Sequence, residues 1–222
     1  MKRIIISDTH IGSKFYKQKE LLEFLSSNQC DQLILAGDII DFIKIPLFTR
    51  RCADIIKTIG AHTNVIYVVG NHDASLSGLV GTSLSNITFC RKYEFREKNR
   101  DFRIEHGDRF STGFFHAATF VKIVSIFQDM LERWLSFDLT SWFTKKILKY
   151  HKLRGISAIM KSNDDVDVFI MGHTHIPEAV IWVHPDESIK TYVNCGDWVS
   201  HSTYVEIIDG VVRLKTFKCS RE

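Results

Sequence analysis

Four short apolar runs, each followed at once by polar residues, constrain most strongly how this chain can fold. They are RIIIS (3–7), QLILAG (32–37), NVIYVVG (64–70) and DVFIMG (167–172). Their length, their β-branched residues and the Gly or Ser that ends each are typical of buried strands. Stretches with helical spacing, at 17–27 and 48–60, lie between them. This alternation favours an α/β protein with a mostly parallel sheet and helices on its faces.

The last part of the chain predicts further strands, at 187–199 and 202–217. Within the second stretch, Asp209-Gly210 is typical of a two-residue hairpin turn. Residues from about 111 to 162 break the alternation, because apolar and aromatic residues recur there at helical spacing. We therefore predict a single domain over 1–222 that carries a helical cap insertion at about 111–162. The insertion has eight basic and three acidic residues, whereas the rest of the chain has 21 basic and 23 acidic.

Composition places the chain among globular proteins. It has 222 residues, of which 45% are apolar and 25% charged, and a formal net charge of +3. The opening MKRIIISDTH has only three apolar residues in a row, fewer than the roughly 7–15 of a secretory signal. No stretch reaches the ~18 uncharged apolar residues of a membrane span. The five cysteines are scattered without a CxxC pair, so we expect reduced thiols in a cytoplasmic protein.

Polar residues of metal-binding type follow each predicted strand, and a further histidine follows residues 101–105. In open α/β sheets, ligands bind at the carboxyl ends of the strands, where successive loops meet. The sequence therefore predicts one site at one edge of the sheet. Its candidate residues are Asp8, His10, Asp38, Asp41, Asn71, His72, Asp73, His106, His173 and His175.

This set offers carboxylate, imidazole and amide oxygen without thiolate, which suits Mn, Fe or Zn. Seven ligands drawn from these ten candidates would exceed the needs of one ion that also holds water. They suit two ions ~3.5–4 Å apart, as in many phosphatases and nucleases. On extended backbone, residues i and i+2 point the same way. The spacing of Asp8 with His10, and of His173 with His175, therefore lets each pair face one ion.

The ordered blocks DTH, GDIID, GNHD, HGD and GHTH, within residues 1 to about 110 and 165–210, resemble the calcineurin-like metallophosphoesterase superfamily. The resemblance implies a sandwich of two mixed β-sheets flanked by helices. It implies two divalent ions, one on each of two ligand sets that share Asp38, and we expect manganese with Fe or Zn as alternatives. The first set is Asp8, His10, Asp38 and His175, and the second is Asp38, Asn71, His106 and His173.

The resemblance also implies roles for neighbouring residues. His72 and Asp73 would act as an acid/base pair beside the phosphate, with Asp73 orienting His72. Asp41 has two interpretations, since it would either orient a ligand from behind or cap the next helix. We add Arg109, Lys152 and Arg154 as candidate phosphate contacts from charge and position alone.

A narrower resemblance concerns the substrate. GDIIDF, HGD, the insertion and NCGDWV together are similar to the UDP-2,3-diacylglucosamine diphosphatase-like proteins. This implies hydrolysis of a nucleotide-lipid pyrophosphate to UMP and a lipid monophosphate. The insertion would then hold acyl chains and contact the inner membrane peripherally. The chain departs from this branch at His72, where those enzymes have Arg, and histidine can donate a proton where arginine supplies only charge.

Two alternatives remain open. The chain could be a phosphodiesterase or nuclease acting on nucleic acid or nucleotides, with the basic insertion following a phosphate backbone. It could instead be a non-catalytic scaffold, although all seven candidate ligands are present. The insertion also has a simpler interpretation, as ordinary apolar packing beneath a solvated basic face.

Overall fold

The computed structural model describes residues 1–42, 50–110, 159 and 165–219 of the chain. The predicted helical insertion lies outside these residues apart from Ile159, and so do Lys152 and Arg154. Within the described ranges, twelve strands form two sheets. None of the helices in these ranges is long and apolar enough to cross a membrane.

The larger sheet is parallel at its centre and antiparallel at both edges. Its strands are β1 (Lys2–Ile6), β2 (Gln32–Ala36), β3 (Val65–Val68), β4 (Ser83–Leu84), β5 (Ile87–Cys90), β11 (Thr203–Ile208) and β12 (Val211–Thr216). They lie in the order β12-β11-β1-β2-β3-β5-β4. The pairs β1–β2, β2–β3 and β3–β5 are parallel, so their carboxyl ends meet at one edge.

The smaller sheet is also parallel at its centre and antiparallel at both edges, and it has a single central strand. Its strands are β6 (Lys92–Glu97), β7 (Arg100–Glu105), β8 (Val168–Met171), β9 (Glu178–Val183) and β10 (Ile189–Asn194). They lie in the order β6-β7-β8-β10-β9. β8 is parallel to both β7 and β10, whereas β6 and β9 pair antiparallel with their neighbours.

The central strands of the larger sheet are apolar on both faces because both faces are covered. On β1, Ile4 and Ile6 pack toward the helices, whereas Ile5 packs toward the smaller sheet. The same alternation holds along β2 and β3. Phe102 and Ile104 of β7 supply part of the smaller sheet's contribution to the core. Burial on both faces explains why the predicted strands have continuous apolar runs.

Two α-helices cover the outer face of the larger sheet. α1 spans Gln18–Ser27 and buries Leu21, Phe24 and Leu25. α2 spans Arg50–Gly60 and buries Cys52, Ile55 and Ile59, which lie on one face of a helix. Two short 3₁₀ helices, Ala74–Leu79 and Asp108–Phe110, follow β3 and β7 in the chain.

The α/β class and the two mixed sheets agree with the expectation, and the predicted hairpin is confirmed. Asp209 and Gly210 have φ of 49° and 79°, and Ile208 pairs with Val211 across the turn. The expectation of a mostly parallel sheet was wrong, because five strand pairs are antiparallel against five parallel among the described residues. Four of the antiparallel pairs are hairpins at the sheet edges, and the fifth joins β1 to β11, one strand in from an edge.

Candidate dimetal site

The predicted ligands come together where β1, β2, β3, β7 and β8 end. Each of these strands is followed by a loop that carries one or two of them. Backbone hydrogen bonds tie the loops to each other, since Asp8 N donates to Gly37 O at 3.1 Å and His10 N donates to Asp38 O at 3.0 Å. His173 N donates to Asp8 Oδ2 at 2.9 Å, which joins the loops of the two sheets.

One group of donor atoms consists of Asp8, His10 and His175. Asp8 Oδ1 is buried and accepts no hydrogen bond from the described residues. His10 Nε2 and His175 Nε2 lie 3.9 and 3.3 Å from it and 3.3 Å from each other. Three atoms that can each offer a lone pair therefore converge on one point, an arrangement that a cation stabilises.

A second group consists of Asp38, His106 and His173, with Asn71 beside them. His106 Nδ1 donates to Ala36 O at 3.0 Å, so its Nε2 faces the site. That Nε2 lies 3.1 Å from Asp38 Oδ2 and 3.0 Å from Asn71 Oδ1. His173 Nδ1 lies 3.1 Å from the same Asn71 oxygen and 3.3 Å from His106 Nε2. The four side chains again present oxygen and nitrogen atoms to a common centre.

The local backbone differs from the extended conformation that the i, i+2 spacing suggested. Asp8, His10, Asp38, His173 and His175 have φ of 52°, 46°, 54°, 66° and 59°. L-residues rarely adopt this left-handed region, and such strain is found mainly at functional sites. The two histidines of GHTH lie in different groups. This placement agrees with the resemblance and corrects the expectation that both face one ion.

The loop after β8 lies so close to the loop after β1 that there is no space for a side chain at Gly172. A Cβ at this position would overlap Ser7 Oγ and Asp8 Oδ2. Ser7 Oγ in turn donates to Asp8 Oδ2 at 2.5 Å. Only glycine lets the loop after β8 lie against the Asp8 carboxylate, so its role is close approach and not a sharp bend.

The electrostatics of the site favour positive charge. Burial alone would lower the pKa of His175, but Asp8 and Asp197 raise it to about 9. Burial would likewise raise the pKa of Asp38, yet His106 and His72 hold it well below its usual range. Burial and His106 lower the pKa of His173 to about 3, so this ring is neutral and keeps a lone pair for a cation. A divalent ion would displace the proton that His106 or His175 otherwise holds.

The environment of His72 corrects the expected role of Asp73. Asp73 is fully buried and accepts hydrogen bonds from Tyr67 Oη, Ile39 N and Gly70 N at 2.7, 2.9 and 2.6 Å. It therefore joins the loops after β2 and β3. The carboxylate beside His72 is that of Asp41, whose Oδ1 lies 3.1 Å from His72 Nδ1.

Asp41 contacts a second histidine as well. Its Oδ2 lies 3.6 Å from His10 Nδ1. The carboxylate thus lies behind two imidazoles of the site. This geometry favours the interpretation in which Asp41 orients ligands over the one in which it caps the next helix.

Sequence reasoning missed Asp197 as a residue of the site. Its carboxylate is buried, and its Oδ2 lies 3.4 Å from His175 Nδ1 and 3.1 Å from His201 Nδ1. Because a carboxylate only accepts, it favours the tautomer in which His175 Nε2 is free for a cation. The sequence signal for Asp197 was the GDWV block, in which an acidic residue follows a glycine at the end of a predicted strand.

Arg109 is the predicted phosphate contact that the structure describes. Its Nε and Nη2 donate to both carboxylate oxygens of Glu105 at 2.6 and 2.8 Å. More than half of the Arg109 side chain is exposed. It lies three residues after His106, at the rim of the site.

The residues present fit a pair of divalent ions. Three groups of donors lie within ligand range of one another: Asp8–His10–His175, Asp38–His106–His173 and His10–Asp41–His72. The buried, unsatisfied Asp8 Oδ1 is the oxygen that a cation would satisfy. Asp38 falls in the second group, while its Oδ1 accepts from His72 N at 2.7 Å.

Comparisons with known proteins agree with this geometry. The family model described as calcineurin-like phosphoesterase matches residues 1–177. No curated protein matches the sequence significantly. The solved structure of YfcE, a phosphoesterase from E. coli, is similar with a TM-score of 0.50 and 15% identity, over 96% of this chain and 91% of that one.

Two further structures are similar at lower scores. Vps29 from Chaetomium thermophilum has a TM-score of 0.49 and 14% identity, over 96% of this chain and 85% of that one. An archaeal phosphodiesterase has a TM-score of 0.48 and 18% identity, over 98% of this chain and all of that one (100%). At these identities the similarity shows the fold alone, and the narrower diphosphatase-like resemblance stays a hypothesis.

Proposed function

Since the chain belongs to the calcineurin-like phosphoesterase family, we propose that it is a hydrolase that uses two divalent ions to cleave a phosphodiester or pyrophosphate bond. The observation that carries this proposal is the convergence of two donor groups, Asp8–His10–His175 and Asp38–His106–His173, at one sheet edge. When bound there, two divalent ions supply charge stabilisation of the phosphoryl group and activation of water.

The other residues of the site have distinct tasks in this proposal. Asp38 would be shared by the two ions, and Asn71 would add an amide oxygen to the second one. Asp41 and Asp197 hold the rings of His10 and His175 from behind.

His72 is suited to donate a proton to the leaving oxygen. Burial alone would lower the pKa of His72, but Asp38 and Asp41 raise it above its usual value. The imidazolium form can give a proton to a leaving oxygen. About a quarter of its side chain is exposed, which leaves room for contact with a substrate.

The finer hypotheses concern the substrate and the metal. UDP-2,3-diacylglucosamine or a related nucleotide-lipid remains the first substrate to test, with manganese as the first metal and Fe or Zn as alternatives. A lipid substrate would add peripheral contact with the inner membrane to the proposed cytoplasmic location. Nucleic acid and nucleotides are the competing substrate class.

The experiment measures metal content and product formation by wild type, Asp38→Ala and the control Asp186→Ala, an exposed position. Mn-loaded protein receives bis(p-nitrophenyl) phosphate, UDP-2,3-diacylglucosamine in detergent, or single-stranded DNA, and products are followed by phosphorus NMR. We expect wild type and Asp186→Ala to hold about two metal equivalents and to cleave the aryl diester. We expect Asp38→Ala to lose both properties.

The other outcomes separate the hypotheses. Release of UMP supports the nucleotide-lipid hypothesis, and cleavage of DNA supports the nuclease. A folded wild-type protein that binds no divalent ion would refute the proposal and favour the scaffold. Full activity in Asp38→Ala would refute the bridging role of this carboxylate.

A further inference from the structure

A cleft of about 350 Å³ adjoins the candidate dimetal site on the side of His106. His106 belongs to both, since it lines the cleft and lies in the second donor group. The remaining lining residues are mostly charged. They include the basic Arg91, Lys92, Arg103 and Arg109 and the acidic Glu105 and Asp108.

The backbone places Arg91 next to the loop that carries Asn71 and His72. Val69 N donates to Cys90 O at 3.0 Å, so the end of β5 lies against the end of β3. The Arg91 guanidinium donates from Nη2 to Ser77 Oγ at 2.6 Å. Ser77 belongs to the 3₁₀ helix that begins directly after Asp73. Arg91 therefore links the cleft to the helix that follows the loop of the proposed proton donor.

The charge of the cleft differs from that of the surrounding body. Outside residues 111–162 the chain has 21 basic and 23 acidic residues, yet the cleft has four basic side chains against two acidic ones. A cleft lined by one sign of charge concentrates ions of the opposite sign. This excess favours an anionic ligand next to the site.

Ion pairs hold three of the basic side chains in place, and one of them joins Lys92 Nζ to Glu94 Oε2 at 3.2 Å. Arg109 binds both oxygens of Glu105, and Arg103 Nε donates to Glu94 Oε1 at 2.6 Å. The hydrogen bond of Arg91 is to a neutral hydroxyl, which leaves its charge uncompensated by that partner. Because a guanidinium can bind a phosphate with two parallel N–H donors, Arg91 is the best placed to bind an anion.

We propose that this cleft binds a second phosphate-type anion of the substrate, distinct from the phosphoryl group that is cleaved, with Arg91 as its main contact. The inference rests on the proposed function, because it places the cleaved group at the dimetal site. A terminal phosphate of a nucleotide and a backbone phosphate of a nucleic-acid strand offer the same chemistry, so the test must separate them.

The test compares two chromogenic substrates that differ by one phosphate. They are the p-nitrophenyl ester of thymidine 5′-phosphate and the same ester with an added 3′-phosphate. We expect the added phosphate to lower KM about tenfold or more for wild type, the effect of one charge-assisted contact. Arg91→Gln should abolish this gain, which is measured as the ratio of the two KM values within each variant. Arg96→Gln, at an exposed position outside the cleft, is the matched control.

A third substrate, in which the 3′-phosphate continues into a short thymidine oligonucleotide, separates the two sources. If Arg91 lowers KM both for the terminal 3′-phosphate and for the oligonucleotide, the ligand is a nucleic-acid strand. If it lowers KM for the terminal phosphate alone, the ligand is a nucleotide. The proposal is overturned if the added phosphate gives no gain in wild type, or if Arg91→Gln and Arg96→Gln keep the gain equally.

Binding measured by calorimetry keeps this test independent of turnover. If no ester is cleaved, the proposed function fails. The cleft is then judged by whether thymidine 3′,5′-bisphosphate binds about tenfold more tightly than the 5′-monophosphate, and whether Arg91→Gln removes that difference. Equal binding of the two nucleotides by wild type would refute the anion subsite.

Discussion

The substitution Asp197→Asn tests the contact between the buried Asp197 carboxylate and His175, a candidate metal ligand. Asp197 Oδ1 accepts N–H groups from Val199, Ser200 and His201 at 3.0, 2.6 and 3.0 Å. Asparagine keeps an oxygen for these three bonds. Its NH₂ group replaces the Oδ2 that faces His175 Nδ1 at 3.4 Å. The substitution therefore preserves the backbone contacts of the loop and removes the acceptor behind the His175 ring, which His201 Nδ1 also contacts at 3.1 Å.

The expected cost is a loss of metal affinity at one of the two donor groups. Without a carboxylate, His175 Nδ1 no longer has an acceptor at this position, and the tautomer with a free Nε2 loses its preference. Removal of such a partner typically lowers metal affinity by ~10–100-fold, which corresponds to about 1.4–2.8 kcal/mol. The loss should fall on the group Asp8–His10–His175, because Asp197 contacts His175. Among the described residues, Asp197 forms no hydrogen bond or ion pair with the other group, Asp38–His106–His173.

The assay is a titration of metal-free protein with Co²⁺, followed by visible absorption and by calorimetry. Wild type should show two binding events, and Asp197→Asn should weaken one of them within the stated range. Asp186→Asn, at an exposed position, is the matched control. Thermal unfolding of metal-free Asp197→Asn should shift to a lower temperature, because the ion pairs with His175 and His201 are lost while the three backbone contacts remain. Equal weakening of both events, or no change in either, would refute the assignment of Asp197 to His175.

Two further predictions concern the proton donor and the loop contact. His72→Gln should leave metal content unchanged, because the backbone N–H that binds Asp38 remains, while turnover falls by ~10²–10⁴. The loss should be larger for an alkyl than for a p-nitrophenyl leaving group, and equal losses would exclude proton donation. Gly172→Ala should destabilise the fold by ~1–3 kcal/mol and weaken metal binding, because the added Cβ overlaps Ser7 and Asp8; chemical denaturation and Co²⁺ titration measure the two effects, and an unchanged protein would contradict the close approach.

The buried strands could be predicted because their apolar runs depend on burial alone. β1, β2, β3 and β8 each lie within a residue or two of the apolar runs in the sequence. β4, β5, β6 and β9 were missed as strands, and most of their residues are at least partly exposed. β4, β6 and β9 also lie at the edges of the sheets. Edge strands owe their pairing to the neighbouring strand, so their own sequences carry a weaker signal.

The candidate ligands could be predicted because residue type and position after a strand are both visible in the sequence. Which side chains share a centre was not predictable from spacing, because five of these residues have left-handed backbone that no local preference favours. Such conformations cost on the order of 1 kcal/mol or more each, so contacts between loops must stabilise them. The hydrogen bonds from Asp8 N to Gly37 O and from His173 N to Asp8 Oδ2 provide such contacts.

The same argument explains why Asp73 was assigned wrongly and Asp197 was missed. Asp73 lies next to His72 in the chain, but its carboxylate turns into the protein to bind Tyr67, Ile39 and Gly70. Asp197 lies 22 residues after His175 and reaches it only once β9 and β10 have returned the chain to the same edge of the smaller sheet. In this site, the order of the strands in the sheets therefore determines which carboxylate orients which histidine, and adjacency in the sequence does not. Because Asp197 accepts from His175 and also binds three backbone N–H groups of its own loop, the loop after β10 and the ring of His175 are positioned together.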